Sequence, residues 1–121
     1  VKDYANVIEV KIVSGEGSRT IRGTVFGGQP RLVGIDGYSF EVPMSGDMVY
    51  IRYKDAAGVI GHVGNALGEA NINVAQMAVG RSGKCAMMVL IVDQDVPVKV
   101  LDNIVKVSGA KDAKFIDLVD N

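Results

Sequence analysis

One cysteine, Cys85, and one histidine, His62, serve the whole 121-residue chain. A single cysteine excludes an internal disulfide and any zinc site built from several thiolates. A single histidine leaves a His-rich metal centre or a Ser-His-Asp triad short of partners. Charge of one sign is lacking too: 13 Lys and Arg face 14 Asp and Glu, for a formal net charge of −1. With no basic excess and no Lys/Arg-rich run, nothing pulls in a nucleic acid backbone. No signal peptide is visible, and no apolar run approaches the roughly 20 residues that span a bilayer. The longest, "CAMMVLIV" from Cys85 to Val92, has the length of a strand. The expectation is a cytoplasmic protein without a membrane partner. Val1 stands where an initiator methionine would, so the chain is expected to be a segment of something longer.

What is present is globular. The chain is 48% hydrophobic and 22% charged, and its length suits one compact domain or a small domain plus a fragment of another. Its two parts differ in texture. Residues 1–45 show short β-type runs split by glycine: "VIEVKIV", "TIRGTVF", "RLVGI" and "YSFEV". Asp36-Gly37 between the last two is a hairpin signal, because the turn wants positive φ. Residues 46–121 read as strand "MVYIRY", a helix over Gly58–Ala70, strand "INVAQMAV", a turn at "GRSG", and strand "CAMMVLIV". A second helix opens at Pro97 with Val100, Leu101, Ile104 and Val105 as its apolar stripe; Ser108-Gly109 ends it and strand "AKFIDLV" closes the chain. The order βαββαβ predicts an α+β, ferredoxin-like fold preceded by a β-rich segment of hairpins. "CAMMVLIV" is apolar at every position, so both faces of that strand are expected to be buried.

The first helix carries four glycines, Gly58, Gly61, Gly64 and Gly68, each interior one costing a helix roughly 1 kcal/mol relative to alanine. Val59, Ile60, Val63, Ala66, Leu67 and Ala70 form its core stripe, with His62, Asn65 and Glu69 opposite. Gly58 lies at the amino end, where backbone N–H groups lack helical partners and a carboxylate or phosphate could approach. The other three line a flank and would permit close packing; packing alone could explain all four. Tyr53 and Asp55 share a side at the end of the preceding strand. Asp55 could cap the helix or accept a hydrogen bond from an ammonium group. A carboxylate at the helix end and an ammonium at Asp55 together describe a free α-amino acid. Asn73, in an apolar strand, could bond an edge backbone or a ligand. Cys85 reads as a buried strand residue and His62 as a solvated one. Lys11, Arg19, Arg22 and Arg31 could bind an anion or simply face water.

The stretch "YKDAAGVIGHVGNALGEANINVAQMAVGRSGKCAMMVLIVDQDVP" resembles an ACT domain, a βαββαβ module that binds amino acids and regulates metabolic enzymes. Upstream, "GTVFGGQPRLVGIDGYSFEV" looks like the segment just before the ACT domain in long-form D-3-phosphoglycerate dehydrogenases, the end of their intervening, or allosteric substrate-binding, domain. The resemblance implies an intervening-domain part over 1–45 and an ACT domain over 46–121. It implies L-serine or another small amino acid as effector, bound where two ACT domains of a homo-oligomer join side by side. Carried over, the site is Tyr53, Asp55, the loop and amides around Ala57, Gly58, Val59 and Ile60, and Asn73 from the neighbouring subunit. Many family members have proline where this chain has Ala57, and the loop here is expected to be looser.

No catalytic residue, metal site or nucleotide fingerprint is found: Gly15-Glu16-Gly17 lacks the third glycine, and no nucleophile has an evident base. NAD would belong to the parent chain. Other readings stand beside the dehydrogenase one. They are the regulatory end of an iron–sulfur L-serine dehydratase, a dimerisation module that ignores amino acids, and an RNA-binding βαββαβ domain. The last needs exposed aromatics for base stacking, and the strands offer Met77, Met87 and Met88 instead.

Overall fold

The computed structural model describes residues 7–14, 17–26, 28–43 and 47–117. Gly15 and Glu16, the expected boundary near residue 45, and Leu118 and Val119 of the expected last strand lie outside them. The chain forms two compact units, Val1–Met44 and Ser45–Asn121.

The first unit is an antiparallel meander of β1 (Val7–Ser14), β2 (Gly17–Phe26), β3 (Gln29–Ile35) and β4 (Tyr38–Pro43), in that spatial order. The β3–β4 turn is the expected Asp36-Gly37 pair, with φ of 49° and 85°. Two successive positive φ values match the right-handed twist of a hairpin. Asp36 is fixed further by the Thr20 N–H, which donates to its Oδ1 at 2.8 Å. The three arginines Arg19, Arg22 and Arg31 of this sheet are held by their neighbours, while Lys11 is exposed. Arg19 pairs with Asp36 at 3.4 Å and Arg31 with Glu41 at 3.0 Å. Arg22 donates to Ser39 at 3.0 Å and lies over Gly34, where a Cβ would overlap its guanidinium. These arrangements favour the solvated, internally paired reading over an anion site.

The second unit is βαββαβ: β5 (Asp47–Lys54), α1 (Val59–Glu69), β6 (Val74–Ser82), β7 (Cys85–Val92), α2 (Val98–Ser108) and β8 (Asp112–Asp117). Its antiparallel sheet has the order β6-β7-β5-β8. The core between the sheet and the helices contains Val49, Ile51, Tyr53, Met88 and Leu90 from the strands, with Val63, Leu67, Leu101 and Ile104 from the helices. On the other parity Met48, Tyr50, Met87 and Val89 are buried as well, so β7 is apolar on both faces, as its sequence required. Arg52 reaches across to Asp112 with two parallel bonds of 3.1 and 3.0 Å, tying β5 to the outer strand β8. No helix among the described residues is long and apolar enough to cross a membrane.

Three local features depart from the sequence reading. "GRSG" is not a turn: β6 runs through Ser82, and Gly83 (φ 61°) begins the turn into β7. The period of two that any regular strand keeps is broken in β6, where the register shifts between Val74 and Gln76. That bulge lets Val74 and Val79, of opposite parity, pack on the same core. Ile60 is 42% exposed and leaves the core stripe to Val59, Val63, Ala66 and Leu67.

Helix α1 ends in a Schellman motif that the sequence reading missed. Asn71 takes φ 59°; the Ile72 N–H donates to Leu67 O at 2.9 Å and the Asn71 N–H to Gly68 O at 3.0 Å. An asparagine just past the last apolar residue is the signal that could have found it. Left-handed backbone costs a β-branched residue about 1–2 kcal/mol. Asn71→Val is therefore expected to lower stability by about that amount in urea unfolding, while Asn71→Gly leaves it equal or higher.

Candidate functional site

Strand β5 ends at Lys54, and the next four residues, all exposed, lead into α1. Gly58 is the N-cap residue at φ 90°, with no side-chain cap. The positive φ, not crowding, demands glycine, since a Cβ there would meet only the His62 ring at 3.9 Å. Helical bonding starts with the His62 N–H donating to Gly58 O at 3.0 Å. The N–H groups of Val59, Ile60 and Gly61 thus have no carbonyl four residues back within the helix. Ala57 precedes the N-cap, so a proline at that position would stiffen the loop and would not enter the first helical turn.

Asp55 does not cap the helix. Its backbone N–H donates to Lys84 O at 2.9 Å, and its Oδ2 accepts from Arg81 Nε at 2.7 Å. Both bonds tie the loop to the β6–β7 hairpin. Sheet register explains the meeting: Tyr53 and Arg81 both stand opposite Ala86, on either side of it. The small Ala86 leaves room for two long side chains to lean together over it. Arg81 was missed because "GRSG" reads as a turn.

Tyr53 is 2% exposed, and its hydroxyl is buried without a hydrogen-bond partner among the described residues. Burial pushes its pKa above the ordinary tyrosine value; the Asp55 carboxylate adds to the rise and the Arg81 guanidinium opposes it. A buried hydroxyl left unmatched costs stability, and this one stands within electrostatic reach of an acid and a base.

Asn73 is not part of this cluster. Its Nδ2 donates to Asp93 at 2.8 Å, and its position beside Val74, opposite Val92, puts it at the far end of the sheet. The eight-residue step from Asn73 to Arg81 along β6 amounts to about 25 Å of extended chain. Cys85 is half-buried, with Lys111 Nζ at 3.3 Å from its sulfur.

The remaining helix glycines are not crowded by the described residues: a Cβ at Gly61, Gly64 or Gly68 would meet none of them within 4 Å. β6 is an edge strand with Ala75, Gln76 and Met77 exposed, and among the described residues it pairs only with β7.

Residues 48–109 match the ACT domain family model. The chain belongs to the ACT domain family. Similarity extends well beyond that match. The chain is 35% identical over 98% of its length to a D-3-phosphoglycerate dehydrogenase of Archaeoglobus fulgidus. It is 37% identical over 95% of its length to one of Bacillus subtilis, and 32% over 98% to one of Synechocystis. It spans only 23%, 22% and 22% of those three relatives. Similarity thus covers the β-rich unit as well as the ACT domain.

Proposed function

We propose that this ACT domain and the β-rich unit before it form the regulatory part of an NAD-dependent D-3-phosphoglycerate dehydrogenase, and that it senses L-serine between two copies of the chain. The observation that carries the reading is the unmatched, buried Tyr53 hydroxyl beside Asp55. An amino acid there would place its ammonium at Asp55 and, by parting the side chains that cover it, at the Tyr53 hydroxyl, and its carboxylate at the N–H groups around Gly58, Val59 and Ile60 that lack a helical acceptor.

The distant Asn73 fits the same scheme only through a second copy. If two β6 edges pair antiparallel about a two-fold axis, the start of one β6 lies beside the end of the other. Asn73 of one copy then comes next to Arg81 and Asp55 of its partner. The exposed β6 edge and the open glycine flank of α1 supply the surface for such a junction. L-serine would favour one arrangement of the pair, and the catalytic domains would respond through that bias. The dehydrogenase names of the relatives support this parentage over an iron–sulfur dehydratase.

The test is thermal unfolding of the chain with L-serine, glycine, D-serine and L-alanine in excess. A ligand specific for the folded state at 100 times its Kd adds about 2.7 kcal/mol. L-serine is expected to raise the Tm, and Asp55→Ala and Asn73→Ala each to remove the rise. No shift with any amino acid would leave the ACT pair as a dimerisation module without an effector.

A further inference from the structure

The Asp55 carboxylate is not a lone negative charge. Arg81 holds it at 2.7 Å with Nε, and the pair remains partly open to water, Arg81 at 59% and Asp55 at 33% side-chain exposure. The pair is therefore close to neutral before any ligand arrives. We propose that Arg81 is a specificity-determining residue of the amino-acid site, which by neutralising Asp55 makes it select zwitterions over amines that lack a carboxylate. This inference rests on the amino-acid-binding reading above.

The argument is one of net charge. A free amino acid at neutral pH carries an ammonium and a carboxylate and sums to zero. It can place its ammonium against the outer side of Asp55 and, by parting the side chains that cover it, against the Tyr53 hydroxyl, which has no partner among the described residues. Its carboxylate meets the α1 amino end and the positive side of the Arg81 guanidinium. A primary amine such as ethanolamine, which is serine without its carboxylate, brings a full positive charge. It gains little from a carboxylate that Arg81 already neutralises, and it is repelled by Arg81 itself. Without Arg81 the Asp55 carboxylate is left unneutralised, and the amine gains a whole Coulomb interaction that the neutral zwitterion gains only in part. Solvent screening of a partly exposed pair limits the effect to roughly three- to tenfold.

The second anchor of Asp55 keeps the proposal testable. The Asp55 N–H to Lys84 O bond is a backbone contact that no side-chain substitution at Arg81 removes. Arg81→Gln therefore deletes the charge while the loop stays tied to the hairpin. Arg81→Lys keeps the charge and changes the geometry.

The experiment measures the Kd of L-serine and of ethanolamine by calorimetry on the unsubstituted chain, Arg81→Gln and Arg81→Lys, at low and physiological salt. Expected is a preference for L-serine that falls roughly three- to tenfold in Arg81→Gln, most at low salt, and is largely kept in Arg81→Lys. A preference unchanged in Arg81→Gln, with L-serine still bound, overturns the role of Arg81 and leaves the amino-acid site standing. An equal fall in both variants also overturns it, because bond geometry and not charge would then set the preference. No binding of L-serine to the unsubstituted chain overturns both.

Discussion

Tyr53→Phe is expected to stabilise the ligand-free chain and at the same time to weaken its response to L-serine. The two effects share one cause. The Tyr53 hydroxyl is buried and has no partner among the described residues, and a buried polar group left unmatched costs about 1–3 kcal/mol. Phenylalanine keeps the ring that packs with Ile51 and Val63 in the core and removes only the oxygen. A gain of about 1 kcal/mol corresponds to a Tm rise of roughly 4–8 °C for a unit of this size. With ligand, the lost hydrogen bond to an ammonium group is expected to weaken binding by about tenfold. The pH dependence gives a further reading. Because the folded-state pKa lies above the ordinary value, the unfolded chain ionises first as pH rises beyond about 10. The contribution from Tyr53 is full below that pH and is lost as pH climbs towards the folded-state pKa. Tyr53→Phe lacks this alkaline loss. A variant that is less stable than the original and still responds fully to L-serine would show that the hydroxyl serves packing and not a ligand.

The second large effect is expected in the core. Leu67 is fully buried between sheet and helices, packed among Val63, Met88 and Ile104. Leu67→Ala removes three carbons and leaves a cavity, at a cost of about 2–5 kcal/mol. The unit Ser45–Asn121 has 77 residues, for which total stability is on the order of 4–12 kcal/mol. The variant should thus lose a large share of its stability, read as a lower urea midpoint with an unchanged m value. The same residue's carbonyl closes the helix end through Ile72, and alanine keeps that bond. A loss below about 1 kcal/mol would mean that the site collapses freely and that α1 is loosely packed.

The elements with strong local chemistry were legible in the sequence. Asp36-Gly37 announced its hairpin because few residue pairs accept two positive φ values. "CAMMVLIV" announced a doubly buried strand by having no polar residue at all, and Gly109, at φ 73°, ends α2 where expected. What stayed hidden depends on pairing between distant residues. The bulge in β6 is set by its register against β7, and nothing in "NVAQM" marks the extra residue. Ile60 reads as core by helical angle, yet it lies at the edge of the buried arc and stays exposed. Of the candidate site, the amino end of α1 and the Tyr53–Asp55 side were legible from alternation and the Gly58 position. The Arg81 partnership was not, because it arises from two strands that both flank Ala86. The separation of Asn73 from Asp55 shows only once strand order is known.

That separation also supplies the most direct measurement of whether two copies build one site. Asp55→Ala and Asn73→Ala chains are each prepared, found to bind no L-serine, then mixed, unfolded together and refolded. In a mixed pair, one junction joins the intact Asp55 of one chain to the intact Asn73 of the other, while the second junction carries both defects. Half of randomly formed pairs are mixed, so the mixture should recover roughly a quarter of the original binding capacity at the original affinity. Recovery of that fraction is the predicted result. A mixture that binds no more L-serine than its separate components would contradict a site shared across the β6 edges.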